Sequence, residues 1–464
     1  MLSKNKKETE QVIFFSMEDF VPKDHLLRKI DSAVDFSKIY DIVGESYCPN
    51  NGRPSIDPVV LFKMTLIQHL YGISSLRKTA SEIEMNVAYR WFLGYTMNEK
   101  TPHFATVSYN FKHRFTEEII EKVFNWVLNE INKKGYLSPE VVFVDGTHIK
   151  ASANLKKYVK KQINVAAKIY EEQLIKEVNE DREKHNKKPL KPQDKKEETK
   201  EIITSTVDPD CGVFHKGEHK KCFAYEAHTA CDKNGYVLGT YITPGNIHDS
   251  VAFDTLYDEL IEKFPESTTV VADSAYKTHW ISKKLIDKGK ILSAPYTAPK
   301  GNKNKGFRAY DFIYDEYFDC VICPENQVLK YSTTNRNGNR EYKSNTNICK
   351  DCPHLKECTQ SKDYQKVVSK HIWQNYIEIV EDYRHTPEIK ALYEKRKETI
   401  ERVFADAKEK HGMRYTTLRG LAQVTKWVKL KFACMNLKKF ALHLKGETLI
   451  FIKIWLFREI KYVY

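Results

Sequence analysis

Two short apolar segments that each run into an aspartate constrain the fold of this chain more than any other feature. The first covers residues 141–145 and ends at Asp145, and the second covers residues 268–273 and ends at Asp273. Both are rich in valine, which is typical of strands buried inside a sheet. One aspartate after such a strand is usually a turn or cap residue, but two of them suggest a shared ligand.

The residues between these segments predict further strands and a helix. Residues 222–232 and 236–245 have the pattern of a hairpin around an Asn234-Gly235 turn. Asp249 stands where the N-cap of a helix is expected, and another helix is predicted after the second apolar segment. The order of strand, hairpin, helix, strand and helix predicts an α/β fold with a mixed sheet flanked by helices.

The N-terminal part of the chain is predicted to be helical. Residues 56–130 carry apolar residues at helical spacing. Arg77, Lys78 and Arg90 lie between the apolar positions, a pattern that fits a helix-turn-helix DNA reader. The same pattern is also typical of an ordinary helical bundle with a basic solvent face.

Charge favours a polyanionic partner. The chain has 75 Lys and Arg against 62 Asp and Glu, a formal net charge of +13, and nucleic acid is a common partner of such proteins. A basic protein without such a partner has the same composition. The N-terminus lacks the apolar core of a secretion signal, and the longest apolar run, residues 448–457, is about half a membrane span. We therefore expect a cytoplasmic protein whose cysteines are thiols or metal ligands.

A third carboxylate lies on a helix predicted over residues 387–411. Glu401 is at the edge of the apolar stripe of this helix. Lys397 lies one turn before Glu401 and Lys408 two turns after it, on the same side. This pattern fits either a functional site or a row of surface ion pairs. Mg²⁺ prefers oxygen ligands, so two strand-end aspartates and a helical glutamate are sufficient to hold it.

Six segments of the chain carry the motifs of a known family. They are SMEDFVPKDHLLRKID, SIDPVVLFKMTLIQHLYGISSLRKTASEIEMNVAYRWFLGY, FVDGTHIKASAN, AYEAHTACDKNGYVLGTYITPGNIHDS, VVADSAYKT and KRKETIERVFADAKEKHGMRYTTLRG. Over nearly its whole length the chain resembles the DDE transposases of bacterial insertion sequences, close to the insertion sequence 1182 group.

The resemblance implies an RNase H-like catalytic core. In this core Asp145, Asp273 and Glu401 would be the catalytic residues and the ligands of two Mg²⁺ or Mn²⁺ ions. Such an ion pair can activate a water or hydroxyl on one side of a phosphate and stabilise the leaving oxygen on the other.

The resemblance also implies DNA-contacting cations around the glutamate. Related families carry a Tyr, Arg, Glu, Lys signature, and Lys408 matches its lysine. Tyr393 and Arg396 each fall one position early, and Lys397 occupies the usual arginine position. We expect Lys408, Lys397 and Arg396 to bind DNA.

A cysteine-rich segment predicts a second metal centre. Two CxxC pairs predict a zinc-ribbon-like subdomain with four thiolate ligands to a structural zinc ion. The pairs are Cys320 with Cys323 and Cys349 with Cys352. Cys358 is an alternative ligand for one of the four. Without zinc, the thiols would be reduced and packed inside a small subdomain.

The predicted organisation has five parts. They are a helical, DNA-end-binding domain over 1–135, the first part of the core over 136–300, a cysteine-rich insertion over 301–370, the second part of the core with the Glu401 helix over 371–445, and a tail over 446–464. The first part of the core contains a charged insertion over 156–205, and its segment from Lys191 to Lys196 is expected to be a mobile linker or loose hairpin.

The family resemblance implies a function. The chain would act as a transposase in the bacterial cytoplasm, associated with the nucleoid. It would bind the inverted-repeat ends of its insertion sequence, cleave them and join them to double-stranded target DNA, as a dimer or a larger assembly. Two alternatives remain open: an RNase H-like nuclease without strand transfer, and a non-catalytic DNA-binding relative.

Overall fold

The computed structural model describes residues 16–48, 54–164, 170–191, 199–216, 220–296 and 306–460. The helices are α1 (Met17–Phe20), α2 (Leu26–Ala33), α3 (Lys38–Val43), α4 (Pro58–Leu70), α5 (Leu76–Met85), α6 (Val87–Leu93), α7 (Phe104–His113), α8 (Glu117–Lys133), α9 (Glu171–Lys184), α10 (Asp249–Lys263), α11 (His279–Asp287), α12 (Thr346–Cys349), α13 (Leu355–Cys358), α14 (Gln374–Tyr383), α15 (Pro387–Glu394), α16 (Ile400–Glu409) and α17 (Leu421–Ile460). The strands are β1 (Val141–Lys150), β2 (Tyr158–Asn164), β3 (Thr199–Ser205), β4 (Gly212–Lys216), β5 (Lys220–Asp232), β6 (Val237–Pro244), β7 (Thr269–Val271), β8 (Ile291–Ser293), β9 (Ile313–Asp315), β10 (Cys320–Ile322), β11 (Val328–Thr334), β12 (Asn339–Lys343) and β13 (Val367–His371).

The central sheet is mixed, as the sequence predicts. Its strand order is β6-β5-β1-β7-β8, and β4 continues the edge of β5 on which β6 lies. β5 is antiparallel to β1 and β6, whereas β7 is parallel to β1 and β8 is parallel to β7. The apolar residues of β1 and β7 are buried, because helices cover both faces of a sheet with parallel strands.

The first strand is longer than the sequence indicates. The prediction ends it at Asp145, but β1 continues to Lys150 because β5 pairs with it over its whole second half, up to Lys150 opposite Ala224. The parallel pairing with β7 stops at Phe143 opposite Val271. Asp145 therefore lies inside a strand, just beyond the point where its parallel neighbour ends.

The long helix α17 joins the N-terminal helices to the central sheet. Its apolar residues belong to the same hydrophobic core as those of α2, α4, α8 and β1. Asn436 fixes the contact with β6, since its side chain accepts a hydrogen bond from the backbone N–H of Val237 (2.9 Å) and donates one to the carbonyl of Val237 (2.8 Å). The core is thus continuous from the helical part of the chain to the sheet.

One of the three cations of the predicted helix-turn-helix, Arg90, packs inside the N-terminal helices. Arg90 is buried and donates hydrogen bonds to the backbone carbonyls of Glu84 and Thr96 (3.0 and 2.6 Å). A guanidinium held in this way is not available to a DNA backbone. Arg77 and Lys78 are exposed on α5, so a DNA-reading role for these two residues stays a prediction.

The charged insertion contains regular structure on both sides of the predicted linker. β2 and β3 form a two-stranded antiparallel sheet, and α9 packs against the cysteine-rich region. Asp181 on α9 accepts a hydrogen bond from Nε of Arg340 (2.9 Å), and Nε2 of His185 lies 2.6 Å from Oδ2 of Asp319. Most of the predicted linker, residues 192–196, lies outside the described residues.

The cysteine-rich region folds around its own antiparallel sheet. The strand order is β13-β12-β11-β10-β9, and a small separate core lies against it. The core residues are Phe312, Val321, Leu329 and Tyr342. No helix among the described residues combines the length and apolar character needed to cross a bilayer.

Candidate active site and cysteine cluster

Two of the three predicted catalytic carboxylates lie side by side on neighbouring parallel strands. Because Val141 pairs with Thr269 and Phe143 with Val271, the same register continued beyond the last paired residues brings Asp145 level with Asp273. Asp273 follows β7 and caps a short 3₁₀ turn, accepting a hydrogen bond from the N–H of Ala275 (2.8 Å). Both carboxylates are thus attached to rigid backbone.

A buried arginine, Arg396, forms an ion pair with the first of these two carboxylates. Nη2 of Arg396 lies 2.7 Å from Oδ2 of Asp145, and the Arg396 side chain is only 8% exposed. Burial raises the pKa of Asp145 to about 6, Arg396 and the N–H of Gly146 oppose this shift, and the negative charge of Asp273 adds to it. Arg396, predicted as a DNA contact, is therefore bound to a catalytic candidate.

A break in the predicted helix explains why Arg396 and not Lys397 reaches Asp145. The prediction of one helix over 387–411 is wrong: α15 ends at Glu394, a 3₁₀ turn covers Lys395–Lys397, and Thr399 has φ −107° and ψ −99° before α16 begins. A 3₁₀ turn advances by three residues per turn and shifts the angular position of each side chain. Arg396 is buried and Lys397 is exposed.

Glu401, the third predicted carboxylate, is not joined to this pair. It is exposed on α16, whose buried face is formed by Ile400, Val403, Phe404 and Ala407. Seven residues separate Glu401 from Lys408, so the two share one face of the helix. Burial lowers the pKa of His148 on β1 to about 4, and Lys408 adds to this shift, so this face of α16 lies by β1. In the described part of the chain no hydrogen bond or ion pair connects Glu401 to Asp145 or Asp273.

The sequence analysis missed two neighbouring side chains, one of which lies close enough to the carboxylate pair for their charges to interact. Glu226 and His228 lie on β5, opposite His148 and Gly146 of β1. Burial raises the pKa of Glu226 to about 8, and the charges of Asp249 and Asp145 add to the shift. The sequence contains an indication of these two residues. Glu226 and His228 are two positions apart in a largely apolar segment, and residues two apart in a strand lie on the same face of the sheet.

Asp249 lies beside Glu226 and His228 and is not the predicted helix cap. The N-cap of α10 is His248, whose side chain accepts a hydrogen bond from the N–H of Ser250 (3.3 Å). Asp249 is the first residue of the helix, and its Oδ1 lies 3.1 Å from Nδ1 of His228. The cap prediction fails because the preceding histidine takes the same role one residue earlier.

Four of the five cysteines in the cysteine-rich region lie in one cluster. Burial raises the pKa of the Cys358 thiol, the charge of Lys366 opposes the shift, and the neighbouring thiols of Cys349, Cys323 and Cys352 add to it. The cluster therefore consists of Cys323, Cys349, Cys352 and Cys358. Its sulfurs are not within mutual ligand distance, since among the described residues only Glu226, His228 and Asp249 form such a group.

Cys320 stays outside the cluster. It is buried in β10, and the pKa of its thiol is raised by burial and by the charges of Asp315 and Asp319. Cys323 lies beyond the end of β10, where Asn326 adopts a positive φ of 55° in the turn to β11. The strand thus separates the two members of the first CxxC pair, and Cys358 lies with the other three cysteines.

Two family models match the chain on either side of the central sheet. A transposase domain (DUF772) matches residues 15–113, and a transposase DDE domain matches residues 322–441. These two matches support a DDE-type insertion-sequence transposase. The insertion sequence 1182 group fits these two families. The second range contains Arg396, Glu401 and Lys408, whereas Asp145 and Asp273 lie between the two matched ranges.

The matches to solved structures are weak. The "Mos1 mariner paired end complex with Mn" is 11% identical with a TM-score of 0.16, covering 55% of this chain and 65% of the other. A "pre-cleavage Mos1 transpososome" is also 11% identical with a TM-score of 0.16, covering 59% of this chain and 78% of the other. Because these scores are low, neither likeness carries an argument. No curated protein matches the chain.

Proposed function

We propose that this chain is a metal-dependent transposase that binds the inverted-repeat ends of its insertion sequence, cleaves them and joins them to target DNA. The observation that carries the proposal is the pair formed by Asp145 and Asp273 on adjacent parallel strands, with Arg396 bound to Asp145. The range that matches a transposase DDE domain, residues 322–441, contains both Arg396, in the 3₁₀ turn, and Glu401, on α16.

The topology of the sheet supports an RNase H-like core. Counting β1, β5, β6, β7 and β8 in chain order, the sheet runs third, second, first, fourth, fifth, and the second strand is antiparallel to the others. This order brings the end of the fourth strand beside the first strand. Asp145 and Asp273 are the residues at that junction.

The donor set fits hard divalent cations. Asp145 and Asp273 would hold Mg²⁺ or Mn²⁺, and Glu401 on α16 would complete the ligands, as two ions in the proposed centre. Carboxylate oxygens are the ligands that Mg²⁺ prefers, and a group of buried carboxylates without enough cations is electrostatically unfavourable. When bound, the ions activate the attacking oxygen and stabilise the leaving oxygen of the phosphodiester.

The side chains of the pocket would prepare this centre. Arg396 holds Oδ2 of Asp145 in one orientation by a charge-assisted hydrogen bond, and burial strengthens that bond. Lys408 on the face of α16 near β1 would bind a phosphate of the scissile strand, and exposed Lys397 would bind a more distant phosphate. Arg396 is thus a positioning residue, and the lysines are DNA contacts.

DNA is the proposed partner on the strength of charge and domain content. The net charge of +13 favours a polyanion. The region over residues 15–113 matches a transposase domain (DUF772) and carries exposed Arg77 and Lys78, which would contact the element ends. Bringing two ends together implies at least a dimer in the synaptic complex.

The four thiols of the cysteine cluster have the chemistry of a structural zinc site, although their sulfurs are not within mutual ligand distance in this structure. Cys323, Cys349, Cys352 and Cys358 would hold the zinc ion, because zinc in structural sites takes four thiolate or imidazole ligands. The thiols of Cys323, Cys349 and Cys352 are close enough to add to the raised pKa of the Cys358 thiol. Bound zinc would hold α12 and α13 against the end of β10, and α9 would hold the subdomain on the core.

A strand-transfer assay tests the proposed function. The full chain is incubated with Mg²⁺ or Mn²⁺, a DNA fragment carrying the inverted ends that flank its coding region, and a supercoiled target plasmid. The proposal predicts 3′-hydroxyl ends at the element boundary and covalent joining of those ends to the plasmid. Cleavage without any joined product would instead identify a nuclease, and DNA binding without cleavage would identify a non-catalytic relative.

A further inference from the structure

Three side chains next to β1, those of Glu226, His228 and Asp249, are arranged like the ligands of a transition-metal ion. Glu226, His228 and Asp249 each offer one ligand atom, and these atoms all lie within 4.8 Å of one another. Glu226 and His228 are 4% and 0% exposed, so water does not solvate their polar atoms freely.

The imidazole of His228 has one nitrogen in use and one without a hydrogen bond. Nε2 lies 2.9 Å from the hydroxyl of Thr243, which fixes the orientation of the ring. Nδ1 lies 3.1 Å from Oδ1 of Asp249 but is fully buried and makes no hydrogen bond of acceptable geometry. A buried imidazole nitrogen and a carboxylate oxygen 3.1 Å apart are close enough to bind one cation together.

Gly146 provides the space in which the two carboxylates meet. A Cβ at this position would lie 2.4 Å from Oδ1 of Asp249 and 2.8 Å from Oε1 of Glu226, so any larger residue would displace these carboxylates. Two carboxylates therefore face each other across a glycine. The polar neighbours hold them there: Nδ1 of His148 is 3.3 Å from Oε1 of Glu226, and the hydroxyl of Tyr276 is 3.4 Å from Oδ1 of Asp249.

We infer that Glu226, His228 and Asp249 form a further metal site, distinct from the Asp145–Asp273 centre. One imidazole nitrogen with two carboxylate oxygens suits Mn²⁺ or Zn²⁺ better than Mg²⁺ or Ca²⁺, which favour all-oxygen sites. The inference stands on this geometry and not on the proposed transposase activity.

The strand pairing separates the two sites. Gly146 and His148 of β1 lie opposite His228 and Glu226 of β5, whereas Asp145 lies opposite Thr229. Successive side chains of a strand point to opposite faces of the sheet, so Asp145 and the new site are on different sides of β1. The two sites are close enough for the charge of Asp249 to affect Asp145, so an ion in one would stabilise the acidic residues of the other.

Manganese binding to the full chain tests the inference. The protein carries Asp145→Asn and Asp273→Asn, which remove the oxygen ligands of the proposed catalytic centre, and free Mn²⁺ is counted by electron paramagnetic resonance during a titration. The inference predicts one bound Mn²⁺ per chain. Adding His228→Gln, whose amide can still reach Thr243 but offers no ring nitrogen, weakens this binding at least ~100-fold. Mn²⁺ is the probe because thiolates select Zn²⁺ over Mn²⁺.

A matched control and a second variant make every outcome decisive. His248→Asn removes the imidazole next to Asp249 but keeps a good N-cap for α10, and it leaves Mn²⁺ affinity unchanged. If His228→Gln fails to fold, Glu226→Gln takes its place with the same expected loss. Absence of bound Mn²⁺ in the double-asparagine protein overturns the inference, as does equal affinity with and without the ligand substitution. Failure of DNA cleavage by the wild-type chain bears on the proposed function and leaves this measurement untouched.

Discussion

The acidic pocket and the cysteine cluster are both candidate metal centres, but they are assembled in different ways. Asp145 and Asp273 come from distant parts of the chain, and only the register of β1 and β7 brings them together. The cluster from Cys323 to Cys358 comes from one strand end and two neighbouring short helices. The first site therefore depends on the global fold, whereas the second is local.

This difference teaches which function each site can serve. The pocket has its carboxylates fixed on a rigid sheet, with a buried arginine beside them, and such preorganisation is what catalysis of phosphoryl transfer requires. The cluster lies on a small subdomain with a minor core of four residues, and small cores are typically reinforced by metals. Loss of the pocket should abolish activity, and loss of the cluster should lower stability.

Substitution in the pocket should have the largest effect. Asp145→Asn removes one anionic oxygen ligand at nearly constant volume and lowers the rate of element-end cleavage at least ~10³-fold, with DNA binding retained. Asp258→Asn is the control, because Asp258 is an exposed carboxylate of α10 paired with Lys284, and it should cleave at the wild-type rate. Equal losses in the two variants would refute the special role of the pocket.

Substitution in the cluster should act on stability. Cys352→Ser removes a proposed thiolate ligand, abolishes zinc binding and costs at least ~3 kcal/mol of the stability of the cysteine-rich region. Cys320→Ser, in β10 and outside the cluster, should keep one zinc per chain. Zinc content and thermal unfolding measure both effects. Zinc loss from the Cys320 variant with retention in the Cys352 variant would reverse the assignment.

The third prediction separates Arg396 from its neighbour. Arg396→Lys keeps the charge but loses the planar guanidinium that fixes Oδ2 of Asp145, so cleavage should fall about 10²-fold. Lys397→Ala, exposed one residue away, should change it by less than about threefold. Single-turnover cleavage rates with saturating DNA give the comparison. A larger loss in the Lys397 variant would show that the sequence signature, and not the geometry, identifies the functional cation.

The smallest effect is expected for a phosphate contact. Lys408→Gln should weaken DNA binding a fewfold and reduce the slope of log K against log salt by about 1. Lys410→Gln is the control, because Lys410 follows the end of α16 and is paired with Asp406. The slope of this variant should equal that of the wild type. A salt titration of binding to end DNA provides both values, and identical slopes in all three proteins would exclude Lys408 as a phosphate ligand.

The sequence predicted the parts of the fold that depend on local patterns. The hairpin around Gly235, the mixed sheet and the start of α15 after Thr386 all follow from turn and cap residues. It could not predict that β1 continues past Asp145, because the continuation depends on pairing with a distant strand. It also could not predict the break at Thr399, which nothing in the local pattern indicates.

The candidate site shows the same division. The sequence indicated Asp145 and Asp273 as a carboxylate pair. It could not indicate that Arg396 binds Asp145, because that contact depends on a 3₁₀ turn that shifts the helix register. The CxxC spacing indicated a thiol cluster, whereas the exclusion of Cys320 follows from its burial in β10. Glu226 and His228 became candidates only when β5 placed them next to Asp249.

The position of bound ions in a complex with end DNA tests the central claim most directly. Anomalous diffraction from Mn²⁺ locates each ion without reference to activity. The account predicts manganese between Asp145 and Asp273, with a carboxylate oxygen of Glu401 also within about 2.2 Å of an ion. Manganese held by other residues, with Asp145 still bound only to Arg396, would contradict it.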